Sequence, residues 1–225
     1  MSICTDGYVN GLIHGDKNTC YEWVQDLRKN GLPLKSFYKD LFYPSMVYVG
    51  ELWMKNEITV AQEHVATAIT QHLMSTLYSD IVSNASKNKK GTIIMACPEE
   101  ELHELGARMV SDLLEIDGWQ VVYLGANTPR TALISAVKSY NPDFVGISCT
   151  MPYHLDRAKA MVLEVKSESQ KSLNKVMPIF IGGGAFSNVI TSDPPCAHAH
   201  LCHDFDHTLE FVNTYGQEDI VELEA

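Results

Sequence analysis

The chain has 225 residues, 45% hydrophobic and 20% charged, with a formal net charge of −11. That length holds one large domain or two small ones with a real core. The acidity argues against direct nucleic-acid binding, whose footprint is a basic patch; the cluster Lys87, Lys89 and Lys90 reads as a solvated connector. No apolar run is long enough to span a bilayer, and the opening MSICTDGYVNG lacks a basic-then-apolar leader, so a cytoplasmic protein is expected.

In chain order, residues 1 to 16 read as irregular. Asp16 to Lys29 predicts an amphipathic helix with Tyr21, Trp23, Val24 and Leu27 as apolar positions, ended by Asn30-Gly31. Leu34 to Phe42 predicts a second helix, stopped at Tyr43-Pro44. Pro44 then suits the first position of a third helix running to about Lys55. Thr59 with Gln62 fits a capping box for a fourth helix over roughly 60–82. Four helices in this space predict an antiparallel bundle over 1–84. The polar run SNASKNKK marks a boundary, with 85–90 as linker.

From residue 91 to 225 the pattern alternates. Strands are predicted near 92–97, 120–124, 143–149, 177–182 and 198–202, and helices near 103–117, 129–140, 154–170, 185–190 and 205–214. Strand and helix joined by short loops predict an α/β domain: a five-stranded parallel sheet of flavodoxin/Rossmann-like type, with helices on both faces. The six cysteines (Cys4, Cys20, Cys97, Cys149, Cys196, Cys202) are scattered, two of them at inner-strand ends, which predicts reduced thiols and no disulfide framework.

Three features fall at strand ends on one rim, where open α/β sheets bind ligands. After the first strand comes Glu101-x-His103-x-x-Gly106, in which a loop carboxylate can bend back to orient an imidazole, as a metal ligand requires. The third strand ends in Ser148-Cys149-Thr150, whose hydroxyls suit a ligand or that carboxylate. The fourth ends in Gly182-Gly183-Gly184, where the backbone can approach a bulky group closely. Each feature alone is ordinary: a surface Glu-x-His, a Ser-x-Thr, a glycine turn. Their shared rim gives them weight.

Together, Glu101-x-His103-x-x-Gly106, Ser148-x-Thr150 and Gly182-Gly183 resemble the cobalamin-binding signature of methionine synthase and its relatives, with 41 residues between Gly106 and Ser148. The gap from Thr150 to Gly182 is slightly long for the family; the polar run from Ser167 to Asn174 absorbs the excess. The resemblance implies that His103 binds cobalt from below as the lower axial ligand, displacing the cofactor's benzimidazole. It makes Glu101 the partner of His103, and puts the nucleotide tail beside Ser148, Thr150, Gly182 and Gly183. In the helical half, Trp53, nine residues, then Glu63-His64 resembles the upper-ligand cap of the cobalamin-dependent photoreceptors typified by light-responsive carotenoid-gene repressors. There Trp53, Val60, Glu63 and His64 would cover the adenosyl group of adenosylcobalamin. Two departures stand out. Met54 occupies the position where the best-known photoreceptors have a histidine, and a thioether is a softer, weaker ligand. About sixteen residues ahead of the helices are too few for a helix-turn-helix, so the expected output is a signalling partner or a change in homo-oligomeric state.

The expectation is therefore a light sensor that is not itself an enzyme. The alternatives are a corrinoid methyl-carrier subunit of a methyltransferase system, which usually has Asp at the position of Glu101, and a cobalamin storage or delivery protein. The His/Cys-rich segment 196–207 reads as a strand with His198, His200 and Cys202 on one face, forming a surface stripe or interface in preference to a zinc site. A bilin as second chromophore, found in some relatives, is a further option there.

Overall fold

The computed structural model describes residues 6–84, 89–186 and 198–215. The chain divides into two compact units, Met1–Ala85 and Ser86–Ala225.

The first unit is helical, and its opening corrects the expectation of irregular chain: Asp6–His14 is a helix, α1. Tyr8 and Leu12 are fully buried. Gly7 and Gly11 let α1 approach the next helix closely. A Cβ on Gly7 would lie 2.8 Å from the Trp23 ring, and one on Gly11 2.8 Å from Cys20 Sγ. Helix α2 (Lys17–Lys29) is capped by Asp16, whose carboxylate accepts from Thr19 N at 3.0 Å. It buries Cys20 and Val24; Trp23 and Leu27 are half-buried, and Tyr21, expected to pack inward, is exposed.

The predicted second and third helices are one continuous helical run. Helix α3 (Leu34–Ser36) passes into a π-helical stretch, Phe37–Phe42, and on into α4 (Tyr43–Met54). Pro44 lacks an N–H and its ring would press on the Asp40 carbonyl in a regular α-helix. The wider turn, in which Tyr43 N–H reaches the Tyr38 carbonyl, absorbs it. Phe37, Tyr38, Leu41 and Phe42 are buried around this turn. Helix α5 (Val60–Asn84) starts at the expected capping box: Thr59 N–H donates to Gln62 Oε1 at 2.9 Å, and Gln62 N–H to Thr59 Oγ1 at 3.3 Å. Its buried positions Ala66, Ile69, Leu73, Leu77 and Ile81 recur every three or four residues, with Thr70 and Met74 buried beside them.

The second unit is the expected α/β domain. Its elements are β1 (Thr92–Ala96), α6 (Leu105–Ile116), β2 (Gln120–Gly125), α7 (Arg130–Tyr140), β3 (Phe144–Ser148), α8 (Leu155–Leu173), β4 (Ile179–Gly182), β5 (His200–Leu201) and α9 (Phe205–Thr214). The sheet is parallel, in the order β2-β1-β3-β4-β5. Alternation within β1 splits the core. Ile94 and Ala96 pack with Leu133, Val137, Met161 and Val165 on one face. Ile93, Met95 and Cys97 pack with Ala107, Leu114 and Val212 on the other. In β3, Gly146 sits where a Cβ would overlap Met95 Sδ and the Phe180 ring, so the second face needs glycine at that point. The chain leaves β1 for β2 on one side and returns to β3 on the other. The crevice at this reversal opens beyond the C-terminal ends of β1 and β3.

Three expectations are adjusted here. The last strand is two residues, not five; His198 precedes it. After β4 a short 3-10 turn, Gly184–Phe186, stands at the start of the predicted 185–190 helix, and residues 187–190 lie outside the described residues. Cys4 and Cys196 lie outside them as well, while Cys20, Cys97, Cys149 and Cys202 are buried free thiols. Among the described residues no helix is long and apolar enough to cross a membrane.

Candidate functional site

Pro98 ends β1 and the chain enters a loop that is bonded to its neighbour. Cys97 N–H donates to the Gly125 carbonyl (2.9 Å), Thr128 N–H to Cys97 O (3.1 Å) and Asn127 N–H to Glu101 O (2.9 Å). Asn127 Oδ1 accepts from Glu100 N at 2.9 Å. Glu100 and Asn127 both take left-handed backbone, at φ 68° and 49°. Glu104 closes the far end: its Oε2 accepts from Ala126 N (2.9 Å) and from the Tyr123 hydroxyl (3.1 Å). Gly125, at φ 77°, leaves room for that carboxylate, which a Cβ would meet at 2.8 Å.

Inside this frame Glu101 is fully buried. Its Oε1 accepts from His103 Nδ1 at 2.6 Å and from His103 N at 3.0 Å; its Oε2 accepts from Thr150 N and Met151 N, both at 2.9 Å. Burial alone would raise its pKa. The hydrogen bonds from the His103 ring and from the backbone of Met151, His103 and Thr150 outweigh that and hold it at about 2. An ionised carboxylate fixes the proton of His103 on Nδ1 and leaves the lone pair on Nε2, the arrangement of a metal-ligating imidazole. The His103 side chain is 49% exposed. Gly106 is the second residue of α6 and has open space around it.

The structure brings the second feature to the first, by a different route from the one expected. Thr150 and Met151 hold Glu101 through backbone N–H groups, not through hydroxyls. Ser148 is 8% exposed, and among the described residues its Oγ has no hydrogen-bond partner. Ser148 pairs in register with Gly182. The glycines have reasons within the chain: Gly183, at φ 108°, could carry no Cβ without striking the Cys149 carbonyl, and a Cβ on Gly182 would lie 3.0 Å from Cys202 O. Burial, with Glu101 and Glu104 nearby, pushes the Cys97 thiol up to about 12, so it is not a nucleophile at neutral pH.

In the helical unit Trp53, near the end of α4, is 41% exposed, so it is not a core aromatic; Met54 is 70% exposed. A short turn, residues 55–59, joins α4 to α5. There Val60 is 52% exposed, and Glu63 Oε2 accepts from His64 Nδ1 at 2.6 Å while Glu63 Oε1 accepts from the Thr67 hydroxyl at 2.9 Å. In the sheet unit's last segment, the His200 ring stacks on Phe211 at 4.1 Å and its Nε2 lies 3.0 Å from His207 Nε2, while Cys202 is buried. Among the described residues no group of three His, Cys, Asp or Glu side chains is placed to hold a metal ion.

Sequence reasoning missed the clamp made by Glu104, Asn127 and Ala126. The signal was a left-handed Gly-x-Asn turn after β2, facing an acidic residue one position beyond His103.

Residues 91–192 match the model of a B12 binding domain, and residues 5–78 match the model of a second B12 binding domain. The rim histidine on the parallel sheet falls within the first match and the helices of the first unit within the second, so each unit is similar to a B12 binding domain. It is similar to the HTH-type transcriptional repressor CarH of Myxococcus xanthus, 31% identical over 154 residues that span 68% of this chain and 48% of that one. It is also similar to dimethylamine corrinoid protein 2 of Methanosarcina mazei, 26% identical over 138 residues, 61% of this chain and 63% of that one. The chain thus spans about half the length of the repressor and somewhat more of the corrinoid protein. Its fold is that of the Methanosarcina barkeri monomethylamine corrinoid protein: TM-score 0.76 at 18% identity, covering 92% of this chain and 95% of that one.

Proposed function

We propose that the chain is a light sensor whose chromophore would be adenosylcobalamin, with His103 as the residue that would hold its cobalt. The sheet unit fits a base-displaced corrinoid: an imidazole polarised by a buried carboxylate, and a nine-tenths buried serine whose hydroxyl has no partner among the described residues, beside the glycine-lined end of β4. When bound, the cofactor supplies a cobalt–carbon bond that visible light breaks. His103 Nε2 would hold the metal, with Glu101 fixing the ring and keeping its proton on Nδ1. Gly106 opens the start of α6, while Ser148, Thr150, Gly182 and Gly183 line the place of the nucleotide tail. In that reading Trp53 would exclude water from an adenosyl group, Val60 would pack beside it, and the Glu63–His64 pair would bond its hydroxyls and ring nitrogens.

The observation that carries the sensor reading is the exposed group Trp53, Val60 and His64, with the half-buried Glu63 bonded to that histidine. Loss of such contacts would free these side chains, with a changed assembly or a signalling partner as the readout. Green illumination of the purified holoprotein is expected to change both its absorption spectrum and its oligomeric state or partner affinity. A spectrum and a sedimentation profile that stay constant under light would refute the reading.

A second reading, a corrinoid methyl carrier, is favoured by the likeness to a dimethylamine corrinoid protein. It predicts a preference for methylcobalamin over adenosylcobalamin, and methyl transfer to a thiol when a methyltransferase is added.

A further inference from the structure

The last segment of the sheet unit holds a group of imidazoles that the crevice beyond β1 and β3 does not use. His200 stands on β5 and His207 in the first turn of α9, and their Nε2 atoms face each other at 3.0 Å. Both rings are held from behind. The His200 ring stacks on Phe211 at 4.1 Å and 5°, and Phe211 meets Phe144, Phe180 and Tyr215 edge-on. His207 is fixed at the start of its helix, where its N–H donates to Asp204 Oδ1 at 2.7 Å. His203 stacks on the His207 ring at 5.6 Å. Alternation along the strand sets His198 and Cys202 beside His200; in the structure Cys202 is buried and His200 meets the histidine seven positions on.

His200 is exposed and His207 half-buried. A hydrogen bond between two imidazoles in reach of water adds little, because water replaces it. Two ring nitrogens aimed at one point are also what a transition metal takes. At an imidazole–metal length of about 2.0–2.1 Å, nitrogens 3.0 Å apart subtend about a right angle. A tetrahedral ion such as zinc would need about 3.3–3.4 Å between them, so the rings would have to part. The right angle is the cis angle of tetragonal and octahedral ions, and with nitrogen ligands it selects copper(II) or nickel(II). Freeing both lone pairs asks little of the protein. The proton between the rings passes to His207 Nδ1, which otherwise accepts only a long bond, 3.4 Å, from His203 N–H. Asp204 and Asp206 flank His207 in sequence and favour a cation. Among the described residues no third His, Cys, Asp or Glu side chain converges on the pair, so water completes the coordination.

We propose that His200 and His207 form a two-histidine site for a divalent transition-metal ion, copper(II) or nickel(II), that pins the two-residue β5 to α9. The site is independent of the corrinoid reading and stands if that reading fails.

The test titrates the full chain, carrying no affinity tag, with nickel(II) chloride by calorimetry at about pH 7.5, where imidazoles are mostly neutral. His200→Gln and His207→Gln are run beside it, with His72→Gln on the exposed side of α5 as control. His103 is present in every variant, so any uptake there is common to all. Each of the first two variants is expected to lose at least about 10-fold in affinity, the least that disturbing a metal ligand costs. The control should stay within about two-fold of the wild type. Saturating nickel should raise the melting temperature of the wild type and the control more than that of the two site variants. With one equivalent of copper(II), the wild-type EPR spectrum should carry the superhyperfine splitting of two imidazole nitrogens. No nickel uptake by the wild type, an affinity unchanged in either site variant, or an equal loss in the control overturns the proposal. If a site variant fails to fold by circular dichroism, the wild-type copper spectrum decides: fewer than two imidazole nitrogens overturns it.

Discussion

Glu101 in the sheet unit is fully buried and is bonded by the backbone of Thr150 and Met151 and by both the ring and the backbone of His103. Glu63 in the helical unit is 24% exposed and is engaged by two neighbours on its own helix, His64 and Thr67. Both carboxylates meet an imidazole at 2.6 Å. One pair is welded into loops from two strands; the other can re-form with a rotamer change. A rigid carboxylate suits a permanent ligand, and a loose one suits a contact that must be made and broken.

The largest expected effect strikes the rigid side. His103→Ala is expected to abolish the pigment or visibly alter its lower ligation, read from the absorption and cob(II)alamin EPR spectra. The affinity loss should exceed the roughly 10- to 100-fold that removing a ligand's carboxylate partner costs. An alanine variant with the parent's colour and spectrum would mean that another side chain binds the metal. Glu101→Ala is expected to lose about 10- to 100-fold in cobalamin affinity, as a second-sphere change. It also orphans the buried N–H groups of Thr150 and Met151, at about 1–3 kcal/mol of stability for each group left unpaired.

The same carboxylate predicts a pH window for the cofactor-free protein. Its folded pKa of about 2 lies below the ordinary 4.5. The stabilisation is therefore complete above about pH 4.5 and is lost as pH falls towards about 2, an effect of about 3 kcal/mol. Urea unfolding between pH 6 and 2 measures it, and Glu101→Gln should flatten that part of the profile. Gly146→Ala is expected to destabilise by about 1–3 kcal/mol through overpacking against Met95 and Phe180, read from the same unfolding curves. On the loose side the effects are smaller. Thr59→Ala removes the capping box at the start of α5, costs about 1 kcal/mol, and should leave the cobalamin spectrum in darkness unchanged. Trp53→Ala is expected to cost within about 0.5 kcal/mol of stability, as for other exposed positions, while lowering the preference for adenosylcobalamin over hydroxocobalamin.

Most of the sheet unit could be read in advance, because apolar runs bounded by Gly, Asn-Pro and Pro carry their own period. The boundaries of β1, β3 and α9 came within a residue or two. What escaped depended on partners distant in sequence. Helix α1 holds two glycines and an asparagine, poor helix formers. It is stable because those glycines let α2 come close, which no local window reveals. Pro44 reads as a break because proline stops regular helices; the π-turn that tolerates it has no sequence marker of its own. At the site, Glu101 and His103 could be read from side-chain chemistry. The donors that hold Glu101 could not, because they are main-chain N–H groups, which every residue but proline carries. The short β5 shows the converse: the alternation of His198, His200 and Cys202 is real, but two residues of it pair with β4.

The wide turn at Phe37–Phe42 reaches further than its own backbone. A π-turn amounts to one residue spliced into the helix, and one residue is about 100° of azimuth. Every side chain downstream, Trp53 included, takes its compass bearing from that splice. Deleting a single residue there would leave a straighter rod with its indole swung about a quarter-turn away from its present heading.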